Sequence, residues 1–245
     1  MCKYCRKETR LTEGKENNIK PILFNTSMVQ AILEGRKTST RRIAKGLKDA
    51  IKETKGDFKW DYNNSFMNDI CLLSEAPYKI GDVLYVRETW KVEHTYGDEF
   101  TDIRFKADNE IVHLKELKEE TYEKIVKFES KSGWQPSLFM PKEAARIFLR
   151  VKDVRVERLQ DITDEGALDE GITKHLRCKL GYTSKNSEEE FNFTQARDTF
   201  KLLWNTTVNK KDLDKYGWNA NPYVWVIEFK RISREEALNN NYNKE

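Results

Sequence analysis

The chain has 245 residues, 38% hydrophobic, 35% charged and 11% aromatic, with 44 Lys and Arg against 41 Asp and Glu and a formal net charge of +3. No run approaches the roughly 20 apolar residues that span a bilayer, and the polar first 18 residues lack the apolar core of a secretory signal. Near-balanced charge excludes a uniformly basic nucleic-acid coat, and six Trp argue against disorder throughout.

Four Cys, at positions 2, 5, 71 and 178, are too sparse for a disulfide scaffold, which points to a cytosolic, reduced chain. Cys2 and Cys5 form one CxxC pair without a second, a weak metal signal, because a zinc site takes about four ligands. No metal or other cofactor is therefore expected.

Residues 1–20 read as a polar tail and 233–245 as a second tail, with one domain over 21–232 between them. Residues 21–25 (PILFN) form a short strand candidate, after which Thr26 or Ser27 can cap a helix. Met28, Val29, Ile32 and Leu33 give that helix an apolar stripe, and Gly35 stops it. The helix delivers the chain into Arg36-Lys37-Thr38-Ser39-Thr40-Arg41-Arg42. Residues 43–79 lack a clean period and read as an insertion carrying Lys45 and Lys48. Gly81-Asp82 then turns into a strand over 83–87 (VLYVR), followed by Glu88-Thr89-Trp90.

A second insertion spans 91–134, with a strand near 101–106 and an amphipathic helix predicted over 109–128. Residues 134–141 (WQPSLFMP) make a compact apolar loop. Residues 146–158 alternate as a long strand whose buried parity switches near Lys152-Asp153, the pattern of a bulge or bend. Thr163 starts a short helix with Asp164 and Glu165 in its first turn. A longer helix covers 188–207, burying Phe193, Ala196, Phe200, Leu203 and Trp204. The last strand is 223–232 (YVWVIEFKRI). Strands early, in the middle and at the end, with short helices between, predict an α+β mixed β-barrel with peripheral helices.

Four segments, ILEGRKTSTRR from Ile32, KIGDVLYV from Lys79, LQDIT from Leu159 with Glu170-Gly171, and YVWVIEF from Tyr223, together resemble the ASCH family of PUA-like β-barrels. VRETW, RVERLQDI and NPYVWVIEF are similar to the longer phage-encoded members called morphogenetic proteins. The helix-Gly-Arg-Lys-Thr-x-Thr-x-Arg entry also resembles a small bacterial amidohydrolase of this superfamily that deacylates N(4)-acetylcytidine. That resemblance implies Lys37 as base, Thr40 as nucleophile and Glu170, seven residues after Thr163, as acid.

The residue types suit the chemistry. A threonine hydroxyl needs a base to become a nucleophile. Arg36, Arg41 and Arg42 beside Lys37 favour its neutral form. A carboxyl with a raised pKa can protonate the leaving nitrogen. Arg36 and Arg42 are substrate-binding candidates, Arg42 for the oxyanion. Trp90 and Trp134 are stacking platforms, and Glu88 is a rival acid whose structural alternative is an ion pair with Arg87 or Arg42. Arg41, Lys45 and Lys48 form a candidate phosphate-contacting patch. Lys37 and Thr40 fall on opposite faces of an extended strand, so their convergence requires a turn or a last loop of helix at 37–40. The partners implied are a modified nucleoside or single-stranded RNA or DNA, with no membrane. A binding module without turnover is the alternative, and a ribonuclease a third.

Overall fold

The computed structural model describes residues 19–45, 75–96, 100–115, 117–129, 131, 133–173 and 193–239. Among the described residues the chain is α+β, with two sheets. It divides into two compact units interleaved in sequence, one built from 37–80 and 151–229 with 1–16, the other from 17–36, 81–150 and 230–245. Lys48, all four cysteines and the start of the 188–207 helix lie outside the described residues.

The second unit opens with β1 (Lys20–Leu23) and α1 (Thr26–Leu33). Asn25, in extended conformation, caps α1 by accepting the Met28 N–H at 2.9 Å. The cap thus sits one residue before the predicted Thr26 or Ser27, and an Asx side chain serves that position at least as well. Val29, Ala31 and Ile32 are the buried residues of α1. Gly35, at φ +74°, ends it in the left-handed conformation that other residues resist.

β3 (Val83–Arg87) pairs parallel to β1 and antiparallel to the first residues of β7 (Phe148–Arg158). A three-stranded antiparallel meander follows from β4 (Trp90–Tyr96), β5 (Phe100–Phe105) and β6 (Ile111–Lys115), with a register shift between Val92 and His94. α2 (Glu119–Val126) comes next. The single helix predicted over 109–128 is therefore corrected to a strand and a shorter helix. Asn109 takes a positive φ in the turn after β5, and Val112 and Leu114 alternate with His113 and Lys115 at the period of a strand. Trp90, Ile103, Phe105, Leu114, Ile125, Met140 and Phe148 pack as this unit's core.

In the first unit, β2 (Ser39–Ile43) pairs antiparallel with β8 (Tyr223–Ile232), and β8 neighbours β7. α3 (Asp164–Asp169) and α4 (Phe193–Thr207) pack together. Ala196, Phe200, Leu203 and Trp204 of α4 are buried as predicted, while the Phe193 side chain lies outside the described residues. β7 runs unbroken through Lys152-Asp153, with Leu149 and Val151 buried on one parity and Val154 on the other. It leaves the second unit at Arg150 and enters the first at Val151.

No pairing closes either sheet into the predicted barrel among the described residues. Closure needs each edge strand to gain a second partner, and the edges β1 and β2 each have one. No helix among the described residues is long and apolar enough to cross a membrane.

Candidate active site

Lys37 sits between the end of α1 and the start of β2, in an isolated antiparallel bridge with Glu170. The Thr38 N–H donates to Asp169 O at 2.9 Å, and the Phe229 N–H donates to Thr38 O at 2.9 Å. The segment is extended, which corrects the turn or helical loop required for Lys37 and Thr40 to converge. The backbone bonds to the end of α3 and to β8 hold it straight.

Glu170 arrives from α3. Thr163 caps that helix, its Oγ1 accepting the Gly166 N–H at 3.0 Å, and Glu170 is the C-cap. Thr163→Ala is expected to lower stability by about 1 kcal/mol, read as a lower urea midpoint with an unchanged m-value. Gly166 has a packing reason for its small size: a Cβ there would stand 3.1 Å from Arg41 Nη2.

The Lys37 ammonium donates to Glu170 Oε2 at 2.6 Å, Glu170 O at 3.1 Å and Ser39 O at 2.8 Å. Both side chains are sealed from solvent, at 0% and 3% exposure. Burial pushes the Lys37 pKa down, the Glu170 carboxylate opposes that shift, and the Arg42 and Arg41 charges reinforce it. Arg41 lies 3.4 Å from Glu170 Oε1 through Nη1 and 3.4 Å from Glu157 Oε2 through Nη2. Its Nε and the Ser39 hydroxyl are buried without partners among the described residues. Arg42 keeps part of its surface accessible. Desolvation lowers its pKa, against the pull of Glu170 and Tyr78.

The structure therefore brings Lys37, Glu170 and Arg41 into contact. Thr40 is buried on β2 opposite Ile227, and strand alternation sends it to the face opposite Arg41. Arg36 is exposed and pairs with Glu34. Arg41 is 4% exposed and ion-paired, so it is not available to a phosphate. Lys45 is exposed.

Glu88 and Trp90 belong to the second unit. Glu88 is buried and held by Arg146, not by Arg87 or Arg42, with Nε and Nη2 each 2.9 Å from one carboxylate oxygen. Trp90 is fully buried, with Phe128 packed edge-on at 5.3 Å, which leaves no open ring face as a platform. Trp134 is half-buried, with Lys91 Nζ 5.6 Å from its ring centroid.

Local reading missed the roles of Arg41, Glu157 and Arg146. The signal for Arg41 was its parity: Lys37, Ser39 and Arg41 alternate onto one face. Among the described residues, no three His, Cys, Asp or Glu side chains cluster in a way that would hold a metal.

No family model matches the chain, and no curated protein matches it. Among solved structures, the chain is similar to protein EF3133 from Enterococcus faecalis V583, described under the family model DUF984. The identity is 10%, the TM-score 0.34, and the match covers 88% of this chain and 74% of that one.

Proposed function

We propose that the chain is a metal-independent amidohydrolase of the ASCH type that removes an acyl group from a modified nucleobase or nucleoside such as N(4)-acetylcytidine. The observation that carries this reading is the sealed Lys37–Glu170 contact at 2.6 Å. One proton moved along that contact converts ammonium and carboxylate into amine and carboxylic acid. Burial disfavours the charged lysine, against the opposing pull of the Glu170 carboxylate, and the two arginines add to the effect of burial. The neutral pair is the base and the acid that amide cleavage needs.

In the first half-reaction the Thr40 hydroxyl attacks the acyl carbon as Lys37 takes its proton. The C–N bond breaks as Glu170 protonates the leaving nitrogen. Arg42 stabilises the oxyanion. This leaves Lys37 as ammonium and Glu170 as carboxylate, ready for a second internal transfer. Water then attacks the acyl-threonine, and the acid leaves as the threonine oxygen regains a proton. Because Thr40 and Arg41 alternate across β2, this step requires the start of β2 to rotate or Lys37 to swing on substrate binding.

One observation favours the alternative of binding without turnover: each of the three Lys37 ammonium protons has an acceptor in hydrogen-bond range. Incubation with N(4)-acetylcytidine, followed by chromatography, separates the two. Cytidine release by the wild type, lost in Thr40→Ala, supports hydrolysis through the threonine. Saturable binding without cytidine supports the binding module and overturns the hydrolase.

A further inference from the structure

The second unit contains a cavity of about 430 Å³ that the proposed chemistry does not use. Its volume lies in the range of small-molecule sites. Glu120, Thr121, Lys124 and Ile125 of α2 form part of its wall, within the segment read from sequence as an insertion.

Trp90, Ile125 and Met140, all buried, form its apolar floor. The Trp90 indole N–H is buried and has no acceptor among the described residues. Phe139 lines the same cavity and is 54% exposed, with the Phe128 ring centroid 6.1 Å away.

The rim is cationic: Arg87, Lys118, Lys124 and Lys142 against Glu120 and Glu143. Arg87 already donates to the carbonyls of Met140 and Leu138, and Lys124 pairs with Glu120 at 2.6 Å. Lys118 and Lys142 line the cavity and are exposed.

We propose that this cavity binds a small planar anion: an unsaturated ring laid against Phe139 beside Trp90, whose indole N–H resonance reports its arrival, and a carboxylate or phosphate held by Lys118 and Lys142. A nucleoside monophosphate and an aromatic carboxylate share this chemistry. The site is independent of Lys37 and Glu170, so it stands or falls separately from the hydrolase.

The test is an NMR titration of the full chain labelled with ¹⁵N, following the indole N–H resonances of its six Trp. The Trp90 resonance is assigned by its absence in Trp90→Phe. The probes are cytidine 5′-monophosphate, indole-3-acetate and inorganic phosphate. The expected result is a saturable shift of the Trp90 resonance with at least one planar anion and none with phosphate. The active probe identifies the source of the ligand. Lys118→Glu combined with Lys142→Glu, both exposed positions, is expected to weaken that binding about tenfold or more. A Trp90 resonance unmoved by all three probes, moved equally by inorganic phosphate, or titrating unchanged in the double charge reversal would overturn the proposal.

Discussion

Lys37→Met is expected to lower acyl hydrolysis by about 10²–10⁴-fold, the usual contribution of a positioned acid–base group. It is also expected to destabilise the fold. Glu170 is 4% exposed, and without Lys37 its carboxylate keeps Arg41 at 3.4 Å as a charged partner. Breaking a buried pair from one side costs about 3–5 kcal/mol, and the remaining arginine places this case near the lower end. Adding Glu170→Gln removes the stranded charge, so the double variant is expected to recover most of the stability and none of the activity. Urea denaturation and the hydrolysis assay, run on the same preparations, read these effects separately.

The pH dependence follows from the lowered Lys37 pKa. Below its folded value, both folded and unfolded chains hold the proton, and the folded state bears the full cost of a buried cation. Between that value and the ordinary lysine range near about 10.4, the unfolded chain binds the proton and the folded chain does not. Stability therefore rises with pH across this window. Lys37→Met is expected to lose that rise. The amine and carboxylic acid pair carries one proton in all, so hydrolysis by the wild type is expected to fall across the same window, as that proton is lost and no acid remains for the leaving nitrogen.

Arg146→Met is expected to produce the largest loss of stability outside the candidate site, about 3–5 kcal/mol. Arg146 grips the buried Glu88 carboxylate through two bonds of 2.9 Å, reaches Asp108 at 2.7 Å, contacts Glu110, and lies over the Phe105 ring at 4.2 Å. Its removal strands Glu88, whose pKa burial already raises against the opposing pull of Arg146. For a carboxyl with a raised folded pKa, the folded state holds a proton that the unfolded state has lost. Stability then falls as pH rises from the ordinary carboxylate range through the folded value. Arg146→Met widens that window. Its deficit against the wild type is expected to shrink in mild acid and to grow toward neutral pH, and Glu88→Gln in the same background is expected to remove the dependence. Thermal melts across a pH series test both statements.

Local patterns carried much of the secondary structure. The apolar run at 83–87, the Thr163 cap with its acidic first turn, and the stripe of Ala196, Phe200, Leu203 and Trp204 each express a preference decided within a few residues. Charge density at 109–128 was misleading. Lys and Glu at helical spacing hid the two-residue alternation of Val112 and Leu114, and the turn at Asn109 decided the local outcome. Ion pairing was the least legible feature. Glu88 meets Arg146 from 58 positions away, and Lys37 meets Glu170 from 133, a meeting implied by the family resemblance and not by any local pattern. Pairings at such separation are set by topology and leave no local trace. Arg41 was misassigned because a run of cations reads as a solvated surface until strand parity turns alternate members inward.

The most direct test of the central claim is cytidine release from N(4)-acetylcytidine by the wild type and by the Lys37→Met, Glu170→Gln double variant, both first shown to unfold cooperatively in urea. The buried contact is proposed as the catalytic acid and base. It follows that the wild type releases cytidine, and the folded double variant releases none above the uncatalysed rate. Equal release by the two proteins would contradict it.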